Sequence, residues 1–348
     1  MTKTLNLNPL VRKNVLAMKP YSSARDEFSQ SDTEMIFLDA NENPNNGQYN
    51  RYPDPKQTAL KQFLSEKNAI STANILLGNG SDEVLDLLFR AFCEPGTDNV
   101  ITLPPTYGMY ETLANINAVS NRKVLLNNYF MTDTAAILKQ ADENTKMILL
   151  CSPNNPTGNS FSEESITFLL SAFDGLVVID EAYIDFSAKE SWLRKLSVYP
   201  NLIVTQTLSK AYGLAGIRIG ILYASAEIVA ILNTIKPPYN ISGASQSIAL
   251  ERIRETDRIA EEIAAIVETR NALAVHLETI GFIEKVYPSD ANFLLIKVDD
   301  ATLRYNQLIE NGIVLRNRTS EPLCENCIRI TIGTPEEMEK LLNLLKTL

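Results

Sequence analysis

The sequence predicts an α/β protein: a large unit on a mostly parallel sheet with helices over both faces, then a smaller α+β unit. Three observations predict it. Short apolar runs at 100–103, 147–150, 176–179 and 202–204 lack the polar alternation of a half-solvated strand, so both of their faces should be buried. Helical periodicity alternates with the strand-like runs, as at 56–68 and 82–92. Beyond Pro237 and Pro238 the pattern changes to a long charged helix followed by strand-like segments.

Taken in order, residues 1–45 read as a polar, irregular N-terminal arm that also contributes to the smaller unit. The chain then runs through N-E-N-P-N-N-G-Q-Y-N-R-Y-P-D-P, whose Asn, Pro and Gly residues encode turns. Residues 46–238 carry the alternation and form the large unit. Residues 239–348 form the smaller one, with a helix over 245–280 and strands at 282–287, 292–298, 313–317 and 327–332.

Composition narrows the function. Of 348 residues, 45% are hydrophobic and 21% charged, which suits a globular core of ample size. There is no apolar run of about 18 residues, and MTKTLNLNPLVRKN lacks the apolar centre of a signal peptide, so the expected location is the cytoplasm. The net charge of −10 argues against nucleic acid, and any anionic ligand must be held by a local arginine cluster. Cys324 and Cys327 form C-E-N-C, the spacing of a redox pair or half a zinc site. No second such pair exists and His276 is the single histidine, so no metal is expected. The same scarcity leaves a Ser-His-Asp or Cys-His mechanism dependent on one residue in a helical stretch.

In parallel α/β sheets ligands sit beyond the carboxyl ends of the strands. After 75–77 comes G-N-G-S-D-E, where glycines precede a helix start at Ser81 and Asp82. Backbone N–H groups there suit a phosphate, although a capped turn reads the same way. The motif lacks G-K-[ST] and does not complete G-x-G-x-x-G, which weakens ATP and NAD readings. Tyr107 in P-P-T-Y-G-M-Y could stack on a planar ligand or simply pack. Asn155 in C-S-P-N-N-P-T-G lies in a tight turn. Asp180 follows four apolar residues and needs a cationic or hydrogen-bonding partner; Tyr183 follows in D-E-A-Y. Last, T-L-S-K-A-Y-G-L-A-G-I-R-I-G puts Thr207, Ser209, Lys210 and Arg218 after a buried strand. An amine, a buried carboxylate, a phosphate-ready helix start, a stacking tyrosine and an arginine are together what pyridoxal 5′-phosphate (PLP) requires. In C-I-R-I-T-I-G, alternation sends Arg329 to the face opposite Ile328 and Ile330, toward a cleft or solvent.

These motifs resemble those of the fold-type I PLP-dependent aminotransferases, and among them the histidinol-phosphate aminotransferase family. The arm K-P-Y-S-S-A-R-D-E, the loops L-D-A-N-E-N-P and N-R-Y-P-D-P, and the tail R-I-T-I-G-T-P-E-E extend the likeness over nearly the whole chain. The resemblance implies a Schiff base on Lys210, Asp180 at the pyridinium nitrogen, Asn155 and Tyr183 at the phenolic oxygen, and Tyr107 on the ring face. It implies that Ser81, Asp82, Thr207, Ser209 and Arg218 hold the phosphate, and that Tyr52 reaches the cofactor of a neighbouring subunit in a homodimer. Arg329, with Arg316 and Tyr21, would grip the substrate's anionic group, beside Asn155. The implied reaction exchanges an amino group between histidinol phosphate and 2-oxoglutarate in histidine synthesis. Rival readings are a threonine-phosphate decarboxylase, an aromatic aminotransferase, a non-catalytic PLP-binding regulatory domain and, for want of a dinucleotide fingerprint, least of all a dehydrogenase.

Overall fold

The computed structural model describes residues 5–20, 36–45, 47 and 49–348. In chain order its helices are α1 (Lys13–Ala17), α2 (Thr58–Asn68), α3 (Ser81–Phe92), α4 (Met109–Ile116), α5 (Thr134–Gln140), α6 (Glu163–Ala172), α7 (Ala226–Ile235), α8 (Gly243–Ile253), α9 (Thr256–Leu277), α10 (Ala301–Glu310) and α11 (Pro335–Leu345). The strands are β1 (Ile75–Gly78), β2 (Asn99–Thr102), β3 (Ser120–Lys123), β4 (Thr145–Cys151), β5 (Leu176–Asp180), β6 (Leu202–Thr207), β7 (Gly220–Tyr223), β8 (Ile283–Val286), β9 (Phe293–Val298), β10 (Arg316–Asn317) and β11 (Cys327–Thr331).

The first sheet has seven strands in the order β1-β7-β6-β5-β4-β2-β3. All neighbours are parallel except β7, which runs antiparallel to both β1 and β6. The carboxyl ends of β1, β2, β4, β5 and β6 therefore emerge at one edge. Side chains alternate between two apolar layers, Val177 and Ile179 into one, Leu176 and Val178 into the other. Both faces are dry, which is why these strands read as unbroken apolar runs. The polar strand β3 escapes that pattern because it lies at the sheet's edge, where its side chains stay exposed or half-buried.

The second sheet, ordered β10-β11-β9-β8, is antiparallel throughout. Leu294, Ile296, Ile328 and Ile330 on one of its faces pack with Leu273 and Leu277 of α9 and Leu341 and Leu345 of α11. On the other face Phe293 meets Tyr183, Phe186 and Ala211 of the first sheet's loops. Buried Arg270 ties the same seam, donating to the carbonyls of Phe186 (3.3 Å) and Ala291 (2.9 Å).

Two expectations need correction. The single helix expected over 245–280 is two, broken between Ile253 and Thr256. Arg252 holds the corner: it donates to the Tyr212 carbonyl (3.1 Å) and pairs with Glu255 (2.6 Å) and Glu262. Ala249 and Ile253 join the first sheet's core, so α8 packs there and α9 leaves for the second sheet. The arm, expected to be irregular, contains α1, and Leu7, Leu10, Val11 and Val15 are buried against the first sheet's helices. Their helical spacing is short enough to be lost among polar neighbours.

Candidate active site

Register brings the predicted residues together. Cys151 pairs with Asp180, Asp180 with Thr205, and Thr207 with Gly220, which in turn faces Gly78. One cavity beyond these strand ends is lined by Ser81, Asp82, Tyr107, Asn155, Asp180, Tyr183, Thr207, Ser209, Lys210 and Arg218, with Cys151 and Ala182.

At one end lies the start of α3, a twelve-residue helix whose first turn also carries Asp82 and Glu83. Gly80 precedes it at φ +87°, where a side chain would be strained and its Cβ would lie 2.5 Å from an Arg218 Nη. A Cβ on Gly220 would overlap the backbone of Gly80 and Ser81. Gly80 thus leaves room for the guanidinium of Arg218, itself left-handed at φ +55°, beside the start of the helix. Arg218 is 3.7 Å from Asp82, and Thr207 Oγ1 accepts from the Ser209 N–H at 3.1 Å. A positive helix end, a guanidinium and two hydroxyls form a cradle for a phosphate.

Asp180 is 3% exposed. Its carboxylate accepts from the Tyr110 hydroxyl at 2.8 Å and the Ala182 N–H at 3.2 Å. Burial raises its pKa, and the hydrogen bonds from Tyr110 and Ala182 oppose the rise. The carboxylate is neutralised by no ion pair among the described residues, so a cationic ring nitrogen is the partner its surroundings lack. Tyr107 donates to Asp82 at 3.0 Å and stands edge-on to Tyr110, with ring centroids 5.6 Å apart.

Lys210 reaches the open mouth of the cavity with its amine over the Tyr183 ring, 5.7 Å from the centroid. The surrounding protein mass and then Arg329 and Arg218 lower its pKa, against Asp180 and Asp82. Asn155, 4% exposed, donates to the Tyr183 hydroxyl at 3.3 Å and accepts from Arg329 at 2.5 Å. Burial raises the Tyr183 pKa. Arg329 thus points into the cleft, its guanidinium 5.2 Å from the Phe293 ring.

Two further candidates do not line this cavity. Arg316 is exposed, directly opposite Arg329 in the second sheet. Tyr52 is 51% exposed and stacks on Tyr239 at 4.5 Å, beside a separate cavity of about 700 Å³. Tyr21 falls outside the described residues. His276 is on the exposed side of α9. Cys324 and Cys327 are buried free thiols, and among the described residues no group of three or more His, Cys, Asp or Glu could hold a metal.

Sequence reasoning missed Tyr110 and Cys151, and reached Arg318 only as an alternative to Arg316 within N-R-N-R. Tyr110 was legible as the second tyrosine of P-P-T-Y-G-M-Y, three residues beyond Tyr107 and so near it on a helix. Cys151 is visible only from strand register, and Arg318 only from the pairing of β10 with β11.

The cavity's donor set fits PLP, with a phosphate cradle at one end, a buried carboxylate at its side and an amine at its mouth. Known proteins with related sequences agree. A family model described as aminotransferase class I and II matches residues 25–345. A histidinol-phosphate aminotransferase of Flavobacterium johnsoniae is 62% identical over 346 residues, covering 99% of each chain. One from Christiangramia forsetii is 60% identical over the same length, again covering 99% of each. Among solved structures, histidinol-phosphate aminotransferase from Sinorhizobium meliloti in complex with pyridoxal-5′-phosphate superposes with a TM-score of 0.79. It is 26% identical, covering 85% of this chain and 82% of that one. With so many chemically matched strand-end residues inside a likeness that spans the chain, it belongs to the class I and II aminotransferases and, within them, to the histidinol-phosphate aminotransferase family.

Proposed function

We infer that the protein transfers an amino group between L-histidinol phosphate and 2-oxoglutarate, giving imidazole acetol phosphate and glutamate. The observation that carries this is the meeting of two surfaces: Lys210, Asp180 and the α3 cradle from the first sheet, and Arg329 from the second, joined through Asn155.

PLP, when bound, supplies an electron sink that stabilises negative charge at the substrate Cα. Ser81, Asp82, Thr207, Ser209 and Arg218 would hold its phosphate, Asp180 would pair with the ring nitrogen, Asn155 and Tyr183 would bond the phenolic oxygen, and Tyr107 would stack against the ring. Lys210 would hold the cofactor covalently, and its free amine would serve as general base for the proton at the substrate Cα. A lysine does this only when neutral, and its crowded position beside two arginines favours that form. Arg329, aided by Arg316 and Tyr21, holds the anionic end of either donor and so fixes Cα relative to the amine.

The same reading makes the active unit a homodimer in the cytoplasm. Residues 1–45 serve as the arm, 46–238 as the cofactor-bearing unit and 239–348 as the smaller unit. Tyr52 does not line the cavity of Lys210; with exposed Tyr49 and Ile248 it lines a separate one, as a subunit contact requires. No helix among the described residues is long and apolar enough to cross a membrane.

The test is a turnover assay of the PLP-loaded protein with histidinol phosphate and 2-oxoglutarate. Glutamate appearing in step with histidinol phosphate consumed is the expected result. Tyrosine consumed in preference would move the substrate to the aromatic amino acids, and CO₂ release from threonine phosphate would replace transamination by decarboxylation.

A further inference from the structure

Arg316 and Arg329 pair directly across β10 and β11, so their side chains leave the same face of the sheet. The ladder continues one step beyond β10, where the Arg318 N–H donates to the Cys327 carbonyl at 2.8 Å. Arg318, two residues from Arg316, therefore shares that face. Its Nη2 lies 3.5 Å from Asn155 Oδ1, the atom that also takes Arg329. Two guanidinium groups from one small ribbon thus meet at Asn155, and exposed Arg316 shares their face of the sheet.

This cluster carries more charge than its surroundings balance. The Arg318 side chain is 16% exposed, and its carboxylate partner is Glu321, 3.5 Å away and 29% exposed. The Nε atoms of Arg318 and Arg329 are both buried with no hydrogen-bond partner among the described residues. Such crowding of like charge is costly unless an anion completes it. With Glu321 in place, two positive charges remain in surplus, which matches the dianion of a phosphate monoester. The single α-carboxylate of glutamate needs less.

We propose that Arg318 is a specificity-determining residue that exchanges its Glu321 partner for the substrate's phosphate and so sets the preference for phosphorylated amine donors. The proposal deepens the transaminase reading and rests on it. Arg329 serves both donors, whereas Arg318 turns to the dianion and returns to Glu321 when a carboxylate occupies the site. Glu321 is the resident counter-ion that keeps the cluster stable between substrates.

The test compares histidinol phosphate with histidinol, which differ only in the phosphate, on PLP-loaded wild type, Arg318→Gln, Arg318→Lys and Glu321→Gln. Loss of a charge-assisted contact predicts that Arg318→Gln lowers the ratio of kcat/KM for histidinol phosphate to that for histidinol by about 10- to 100-fold. Arg318→Lys, which keeps the charge without the fork, should restore part of the ratio. Inorganic phosphate, used as a competitive probe, should bind about 10-fold more weakly to Arg318→Gln and more tightly to Glu321→Gln. An unchanged ratio, with both donors weakened alike, would make Arg318 a support for Asn155 and overturn the proposal. If wild type fails to turn over histidinol phosphate, the transaminase reading falls on its own. The phosphate probe then decides the role of Arg318, since unchanged phosphate binding in Arg318→Gln overturns it too.

Discussion

In the proposed mechanism Lys210 is the residue on which the chemistry turns. Lys210→Ala should lower transamination by about 1000-fold or more, the scale of a lost general base, while PLP is still retained in part through Asp180 and Arg218. A glutamate-formation assay with a parallel measurement of bound cofactor checks both halves. In the cofactor-free protein, the depressed Lys210 pKa has its own signature. The amine loses its charge at lower pH than an ordinary lysine, so an acylating reagent should modify it at a pH where surface lysines stay protonated. Mapping the modified residue against pH reads this directly. Tyr110 acts through Asp180. Tyr110→Phe removes the 2.8 Å hydrogen bond to a buried carboxylate and should cost about 10-fold in kcat/KM. If both substrates present their anionic end to the Arg329 guanidinium, as proposed, Arg329→Ala should raise KM for both.

At the scale of elements, the approach of β7 to the start of α3 depends on the absence of a side chain at Gly220. Gly220→Ala drives a methyl into the Gly80–Ser81 backbone, so the helix start must shift. The expected outcome is a loss of about 1–3 kcal/mol in stability together with weaker PLP binding. Denaturant unfolding and cofactor titration would measure the two. The loop after β5 carries a second buried carboxylate, Glu181, which accepts from the Trp192 N–H at 2.7 Å and from Gln206 at 2.9 Å. Burial pushes its pKa up to about 7. The folded value exceeds the unfolded one, so its stabilising contribution is full below the unfolded value and is lost as pH rises through 7. Glu181→Gln should therefore flatten the pH dependence of stability between about pH 5 and 8 by on the order of 3 kcal/mol. Thermal unfolding of both proteins across that range checks the sign.

For the whole molecule, the site stands where two sheets meet, and the proposed dimer adds Tyr52 from a second chain. If so, Tyr52→Ala and Lys210→Ala damage different chains' contributions to one site. Mixed and allowed to exchange subunits, the two variants should regain activity that neither has alone. A mixture no more active than its parts, although dimeric by sedimentation, would place Tyr52 outside the site. The net charge of −10 makes the local concentration of Arg316, Arg318 and Arg329 matter more, since the overall field repels the phosphorylated substrate.

Residues that follow a buried apolar run announced themselves in the sequence. Lys210, Asp180 and Asn155 are such residues, because a polar group just beyond the carboxyl end of a parallel strand stands where ligands sit. Arg329 was legible from alternation with its isoleucine neighbours. The break between α8 and α9 and the buried face of residues 7–15 were not, since each depends on which distant surface the segment meets. By itself the sequence determined the α/β class, the strand-end chemistry and the cofactor it serves, since these follow from local periodicity and residue type. Only the tertiary structure decided that Tyr110 supports Asp180, that Gly220 makes room for the start of α3, and that Arg318 stands beside Arg329. Those relations are set by register and packing between segments far apart in the chain, which local pattern does not encode.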